Sequence, residues 1–358
     1  MNGDLPAASD AIHRLEEKAG QRFPHIAEAR RLTDATMGQL RGLLHEQDPS
    51  DTSIVVFGSL ARGEYTRGSD VDWTLLIDGR AGEAHPRAAR EVTQILKRER
   101  FQPPGPTGVF GNVAFSHPLL HQIGGQEDTN RLTTQRILLL LEAAAVCRDE
   151  ALGRVLDLVL SRYVEDDRGL LYGSKGEVVP RFLLNDIVRY WRTVTVDFVY
   201  KQRDREGGWA LRNAKLKMSR KLIFVSGLCT CFGFELFAGD QAWRDARGKV
   251  EVPRLVAFLR ERLRVRPLEH LALAALRPDV RPATARALFE EYDAFLGILA
   301  DQEKRDHLRD LTFDDLDRGD ALFRETSRIG RRFQEALHAL FYVDDAQLCR
   351  LVHDYGVF

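Results

Sequence analysis

The chain has 358 residues, 44% of them apolar, which is enough for two domains and a full hydrophobic core. Its 52 Lys and Arg meet 53 Asp and Glu, a net charge of −1, so no global field draws it to nucleic acid and any such contact must come from a local patch. The four cysteines (Cys147, Cys229, Cys231, Cys349) lack paired metal spacing, and Cys229-x-Cys231 is one residue short of a CxxC redox pair, so they read as reduced thiols of a cytoplasmic protein.

The polar, acidic opening is unlike a secretory signal, and no apolar run approaches the roughly 20 residues of a membrane span. From Asp10 to about Glu46 good helix formers dominate, with a break near Arg22-Phe23-Pro24, which predicts two helices. Two short apolar runs follow, Ser53 to Phe57 (SIVVF) and Val71 to Ile77 (VDWTLLI). Both are rich in β-branched and aromatic residues and read as buried strands. Between them lie the Gly58-Ser59 turn, about one turn of helix and the pair Gly68-Ser69. The second strand opens with Asp70 and Asp72, whose period-two spacing puts both carboxylates on one side of the sheet with Val71 turned into the core. Two carboxylates so placed suit a hard divalent cation that carries a nucleoside triphosphate, because substrate phosphates can complete its octahedron. Backbone N–H groups at a Gly-rich helix start favour phosphate as well.

Gly58-Ser59 followed by Asp70-x-Asp72, with Ala61-Arg62-Gly63-Glu64 and Ser69-Asp70 filling the interval, resembles the signature of the DNA polymerase β-like nucleotidyltransferase superfamily, its smaller bacterial members above all. The resemblance implies an α+β fold: a small mixed sheet with helices, followed by an all-helical C-terminal domain. It implies that Asp70 and Asp72 are catalytic and hold Mg²⁺, with Mn²⁺ as the alternative ion. Gly58 and Ser59 would seat the β- and γ-phosphates, with Arg62 and Ser69 also at nucleotide-binding positions. Arg62 and Glu64 read equally as a structural pair that fixes the turn.

Such enzymes place a third carboxylate on a neighbouring strand as general base. Glu83 to Arg100 predicts a helix with a basic end suited to its C-terminus, the stretch from Gln102 to Pro106 a break, and Gly108 to Ser116 a third strand. No Asp or Glu lies between Phe101 and Gly125, so Glu127 and Asp128 are the candidate acids, while Asp128 also reads as an N-cap for the following helix. His117 and His121, four apart, share a face if that stretch is helical. Leu132 to Ala145 and Ala151 to Val164 read as helices, loosely similar to those of bacterial signal-protein uridylyltransferases, and Glu142 ends the first apolar stripe. The polar stretch Glu165 to Gly169 sets the expected boundary between a catalytic domain, 1–165, and a helical domain, 166–358.

The second half has helical periodicity throughout: Phe182 to Gln202, Trp209 to Val225, Pro253 to Arg264, Leu268 to Leu276, Ala283 to Ala300 and Gly319 to Phe341, then a short terminal helix or tail. Lys201 to Gly208 reads as a charged loop, and Arg189 and Arg192 as partners for the cleft or for Asp186 and Glu206. Lys217 and Lys221 stand four apart on one helical face, where like charges repel and an anion would relieve them. Helices of this kind in cyclic-dinucleotide synthases present lysines to the triphosphate, and the resemblance carries that role to Lys217 and Lys221.

The expected activity is metal-dependent transfer of an NMP from an NTP (ATP or UTP) to a hydroxyl of a protein or compact acceptor. A cyclic or linear oligonucleotide synthase is the nearest enzyme alternative, and an NTP-binding regulatory module without turnover the alternative from another class. Near-neutral charge argues against a long polynucleotide track.

Overall fold

The computed structural model describes residues 10–47, 49–104, 110–172, 177–203, 208–237, 249–312, 315 and 319–356. Among them no helix is long and apolar enough to cross a membrane. The chain divides into two compact units, Ala29–Asp186 with Ala242–Arg266, and Met1–Glu28 with Ile187–Gln241 and Pro267–Phe358.

The first unit is built on a mixed sheet of four strands in the order β3-β2-β1-β4. β1 (Thr52–Val56) and β2 (Trp73–Ile77) pair antiparallel from Thr52↔Ile77 to Val56↔Trp73, and β3 (Val113–Phe115) joins β2 in parallel. All five residues of β1 and of β2 are buried, as their apolar runs require. α2 (Pro24–Leu44) and α4 (Ala84–Arg98) supply one layer: Met37, Leu40, Leu44, Val92 and Leu96 pack on Ile54, Val56, Trp73, Leu75 and Ile77. α7 (Glu150–Glu165) also packs on β1, where the Leu152 N–H donates to Ser53 Oγ at 3.1 Å, and α12 (Val252–Leu263) packs on α7.

The expected α+β class holds, with local departures. The third strand is shorter than its apolar run predicts, and residues 108 and 109 of that expectation, like Gly105 and Pro106 of the break, lie outside the described residues. The helix expected to reach Ala145 is α6 (Asn130–Leu141), after which Glu142 turns to φ −143° and Ala144–Ala145 becomes β4 on the open edge of β1. Alanine favours helix, but the unpaired backbone of β1 takes these residues instead, and the Val146 N–H then donates to the Ile54 carbonyl.

The second unit is helical among its described residues. α9 (Arg181–Arg203) continues through residues expected to open a charged loop, whose positions 204–207 lie outside the described residues. The predicted Trp209 to Val225 helix is three pieces: α10 (Trp209–Lys215), a π-helical turn over Leu216–Arg220, and α11 (Lys221–Phe237). α11 packs on α13 (Pro267–Ala275), and α14 (Pro282–Ala300) packs on α16 (Ala321–Ala339). Tyr292 of α14 meets Phe333 of α16 with ring centroids 5.6 Å apart.

Candidate active site

α3 (Gly58–Arg62) begins where β1 ends. Gly58 has φ +67°, a left-handed backbone that side chains disfavour, and the turn closes at Gly63 with φ +79°. A methyl group at Gly58 would stand 2.9 Å from Asp72 Oδ2, so the carboxylate lies directly against the start of the turn. The Phe57 N–H donates to the Asp72 carbonyl at 2.9 Å and fastens the two segments side by side. Phe57 also stacks on Phe110, centroids 4.2 Å apart and rings 17° from parallel.

Asp70 and Asp72 are half-buried and Val71 between them is buried, which is the alternation expected of them. They precede the strand rather than open it, because the β1–β2 ladder ends at Val56↔Trp73 and the Val71 N–H donates instead to the Gln102 carbonyl at 3.0 Å. The acids therefore stand at the mouth of the sheet, next to the first turn of α3. Ser59 is half-buried in that turn. Ser69 closes another: its hydroxyl accepts from the Thr66 N–H at 3.1 Å and bonds the Thr66 hydroxyl at 3.0 Å.

Arg62 points away from solvent. Its Nε donates to Glu64 Oε2 at 2.9 Å and its Nη1 to Glu142 Oε2, with all three side chains buried. The structural pairing of Arg62 with Glu64 is thus present, and Glu142 extends it to the end of α6. Arg266 adds a cover on the other end of the turn: a methyl at Gly63 would stand 2.9 Å from Arg266 Cδ.

Asp128 does not cap α6. Thr129 does, its hydroxyl accepting from the Leu132 N–H at 3.3 Å. Asp128 is buried and receives Arg136 Nη2 at 2.9 Å, together with the Gly124 N–H at 3.0 Å. Arg136 also donates to Asp186 at 2.8 Å and to the Tyr163 hydroxyl at 2.6 Å. Burial opposes the Arg136 charge, but Tyr163 and the two carboxylates outweigh it and raise the guanidinium pKa, while burial pushes the Tyr163 phenol well up. A cation this deep demands a carboxylate, which is why Asp128 leaves the cap to its neighbour. Asp186, expected beside Arg189 or Arg192, serves this network; Glu206 lies outside the described residues.

Glu127 is exposed, and among the described residues no three His, Cys, Asp or Glu side chains gather so as to hold a metal ion. Neither Glu127 nor Asp128 is therefore brought into a three-acid cluster with Asp70 and Asp72. His117 and His121 do share one face of α5 (Ser116–His121), ring centroids 4.4 Å apart, but this helix follows the β3 end that pairs with Ile77, the far end of β2 from Asp72. The donor set that remains, two carboxylates beside a glycine whose missing side chain leaves room for one of them, fits a hard divalent ion completed by phosphate oxygens and water.

In the helical unit, Lys217 lies in the π-helical turn and Lys221 one helical step on, both half-buried. The Lys217 stem packs on Gly330, and Lys221 Nζ donates to Gln334 Oε1 at 2.6 Å. Burial, then the charge of Lys217, lowers the Lys221 pKa to about 8; burial also lowers Lys217.

A comparison with protein-family models matches residues 37–111 to the nucleotidyltransferase domain. This stretch is a nucleotidyltransferase domain. It contains β1, α3, β2 and α4, and with them the Gly58-Ser59 turn and both mouth acids. A nucleotidyltransferase domain marks a transferase that moves a nucleotidyl group from an NTP. A comparison of the chain with curated proteins finds no match.

The sequence motif led to Gly58, Ser59, Asp70 and Asp72. It did not lead to Arg136 or Arg266. The signal for Arg136 was available: a lone cation inside the apolar run of α6 needs a buried acid. Arg266, 203 positions from Gly63, left no local trace.

Proposed function

We propose that the chain transfers an NMP from an NTP to a hydroxyl of a protein or compact acceptor, with release of pyrophosphate, in a reaction that depends on a divalent metal. The observation that carries this reading is the Asp72 carboxylate seated against Gly58, with Asp70 beside it at the mouth of the sheet. Asp70 and Asp72 would hold Mg²⁺ or Mn²⁺. When bound, such an ion neutralises phosphate charge and lowers the pKa of the acceptor hydroxyl.

The protein's own groups do the positioning. Gly58, lacking a side chain, lets phosphate approach the backbone at the turn, and Ser59 offers a hydroxyl beside it. Arg62, held by two buried carboxylates, fixes the turn rather than the nucleotide. Lys217 and Lys221 are candidate phosphate ligands of the helical unit, since an anion would relieve their mutual repulsion.

The test is pyrophosphate release on incubation with each labelled NTP and Mg²⁺ or Mn²⁺, with product labelling followed in parallel. Release that disappears in Asp70→Asn and in Asp72→Asn, with the fold intact by circular dichroism, supports transfer. Labelled linear or cyclic oligonucleotides among the products would identify a synthase. That no three His, Cys, Asp or Glu side chains gather to hold a metal ion among the described residues leaves one second reading, an NTP sensor. NTP binding without release under every acceptor condition would support it.

A further inference from the structure

His117 and His121 lie one helical turn apart on α5, with ring centroids 4.4 Å apart and ring planes 42° from parallel. Both residues are exposed, and among the described residues neither ring takes part in a hydrogen bond or ion pair. The opposite face of α5 is fixed. Leu119 and Leu120 are buried where the helix packs on α6 and α7, and the buried Ser116 hydroxyl donates to Asp78 Oδ1 at 2.9 Å. Arg154 of α7 holds the other oxygen of Asp78, also at 2.9 Å. Pro118 sits in the first turn, where its missing N–H costs no helix bond and its ring stiffens the backbone. Two imidazoles are thus presented side by side from a short, anchored helix, with little left to order when an ion binds across them.

Imidazoles at i and i+4 on one helical face form a chelate for a transition-metal ion of borderline softness, and they suit Mg²⁺ or Ca²⁺ poorly. We infer that His117 and His121 form a second metal site, which takes Zn²⁺, Ni²⁺ or Cu²⁺ with water in the remaining positions. No third His, Cys, Asp or Glu among the described residues joins the pair, so the site is open and exchangeable rather than a closed structural centre. It is separate from the acids at the mouth of the sheet. α5 follows the end of β3 beside Ile77, and the strand from Asp72 to Ile77 spans roughly 17 Å. The two sites also differ in chemistry: carboxylate oxygens at the mouth select a hard ion, ring nitrogens here a softer one. Metal binding at α5 does not depend on nucleotidyl transfer.

Ni²⁺ is the calorimetric probe and Cu²⁺ the spectroscopic one, both with the full chain. Wild type is expected to bind Ni²⁺ at this site in the presence of excess Mg²⁺. His117→Ala and His121→Ala should each bind it at least about tenfold more weakly, because a chelate draws on the effective concentration of its second arm. His121→Gln with Gln122→His keeps the composition but turns the second imidazole off the shared face, and should weaken binding to the same degree. At one equivalent, the paramagnetic-resonance spectrum of Cu²⁺ should show two coordinated imidazole nitrogens in wild type and one in either alanine variant. Asp70→Asn with Asp72→Asn should leave Ni²⁺ binding unchanged. The site is refuted if wild type binds Ni²⁺ no more tightly than the alanine variants, or if the His121→Gln with Gln122→His variant keeps wild-type affinity. A single coordinated nitrogen in the wild-type Cu²⁺ spectrum, or loss of Ni²⁺ binding on replacement of the two aspartates, would refute it as well.

Discussion

Replacing Gly58 by alanine isolates the contact on which the active-site reading rests. Two costs follow from the geometry. A left-handed alanine costs about 1 kcal/mol relative to glycine. The new methyl would also stand 2.9 Å from Asp72 Oδ2, so reaching ordinary contact at 3.4 Å requires the carboxylate or the turn to give by 0.5 Å. The backbone term is small against a typical stability of about 5–15 kcal/mol, so the variant should fold. The displacement is large for chemistry, since misplacing a reacting group by about 1 Å can cost on the order of a hundredfold. Gly58→Ala should therefore lose on the order of 10- to 100-fold in pyrophosphate release. Its urea midpoint should fall only slightly. Calorimetry of Mn²⁺ with ATP should show weakened ion binding independently of turnover. Release and Mn²⁺ affinity both within twofold of wild type would refute the placement of Asp72 as an ion ligand.

Two further outcomes can be measured separately. Arg62→Ala leaves Glu64 and Glu142 buried without their guanidinium and should cost about 3–5 kcal/mol in chemical denaturation, and a loss below about 1 kcal/mol would show that the pair does not hold the turn. Lys221 has a folded-state pKa of about 8 against its ordinary 10.5, so the unfolded chain binds more protons between those values and this residue's contribution makes stability rise with pH from about 8 to 10.5. Sulfate, dianionic throughout that window, should bind less tightly as pH rises through about 8, and Lys217→Ala with Lys221→Ala should remove both trends; a flat profile in wild type would exclude Lys221 as an anion ligand.

Local chemistry made the mouth of the sheet legible. Glycine suits the left-handed backbone at position 58 better than any other residue, and residues two apart turn both carboxylates the same way around a buried Val71. Asp128 was illegible for the opposite reason: capping is decided by neighbours, but a buried Arg136 from the next helix made a stronger demand. β4 escaped because three alanines carry no strand signal, and the open edge of β1 that recruits them is a property of the assembled sheet. Arg100 reads as a charge at a helix end, and its positive φ of +60° is invisible in a list of residue types.

Glu142 and β4 both lie beyond residue 111, where the family match stops. A fragment trimmed to that border would carry every residue of the motif, yet it would expose one side of β1 and strip Arg62 of an anchor. Such a fragment should aggregate or unfold rather than act as a miniature enzyme. Grafting the motif into another scaffold would meet the same obstacle, because the counter-charge for its arginine arrives 80 residues later in the chain.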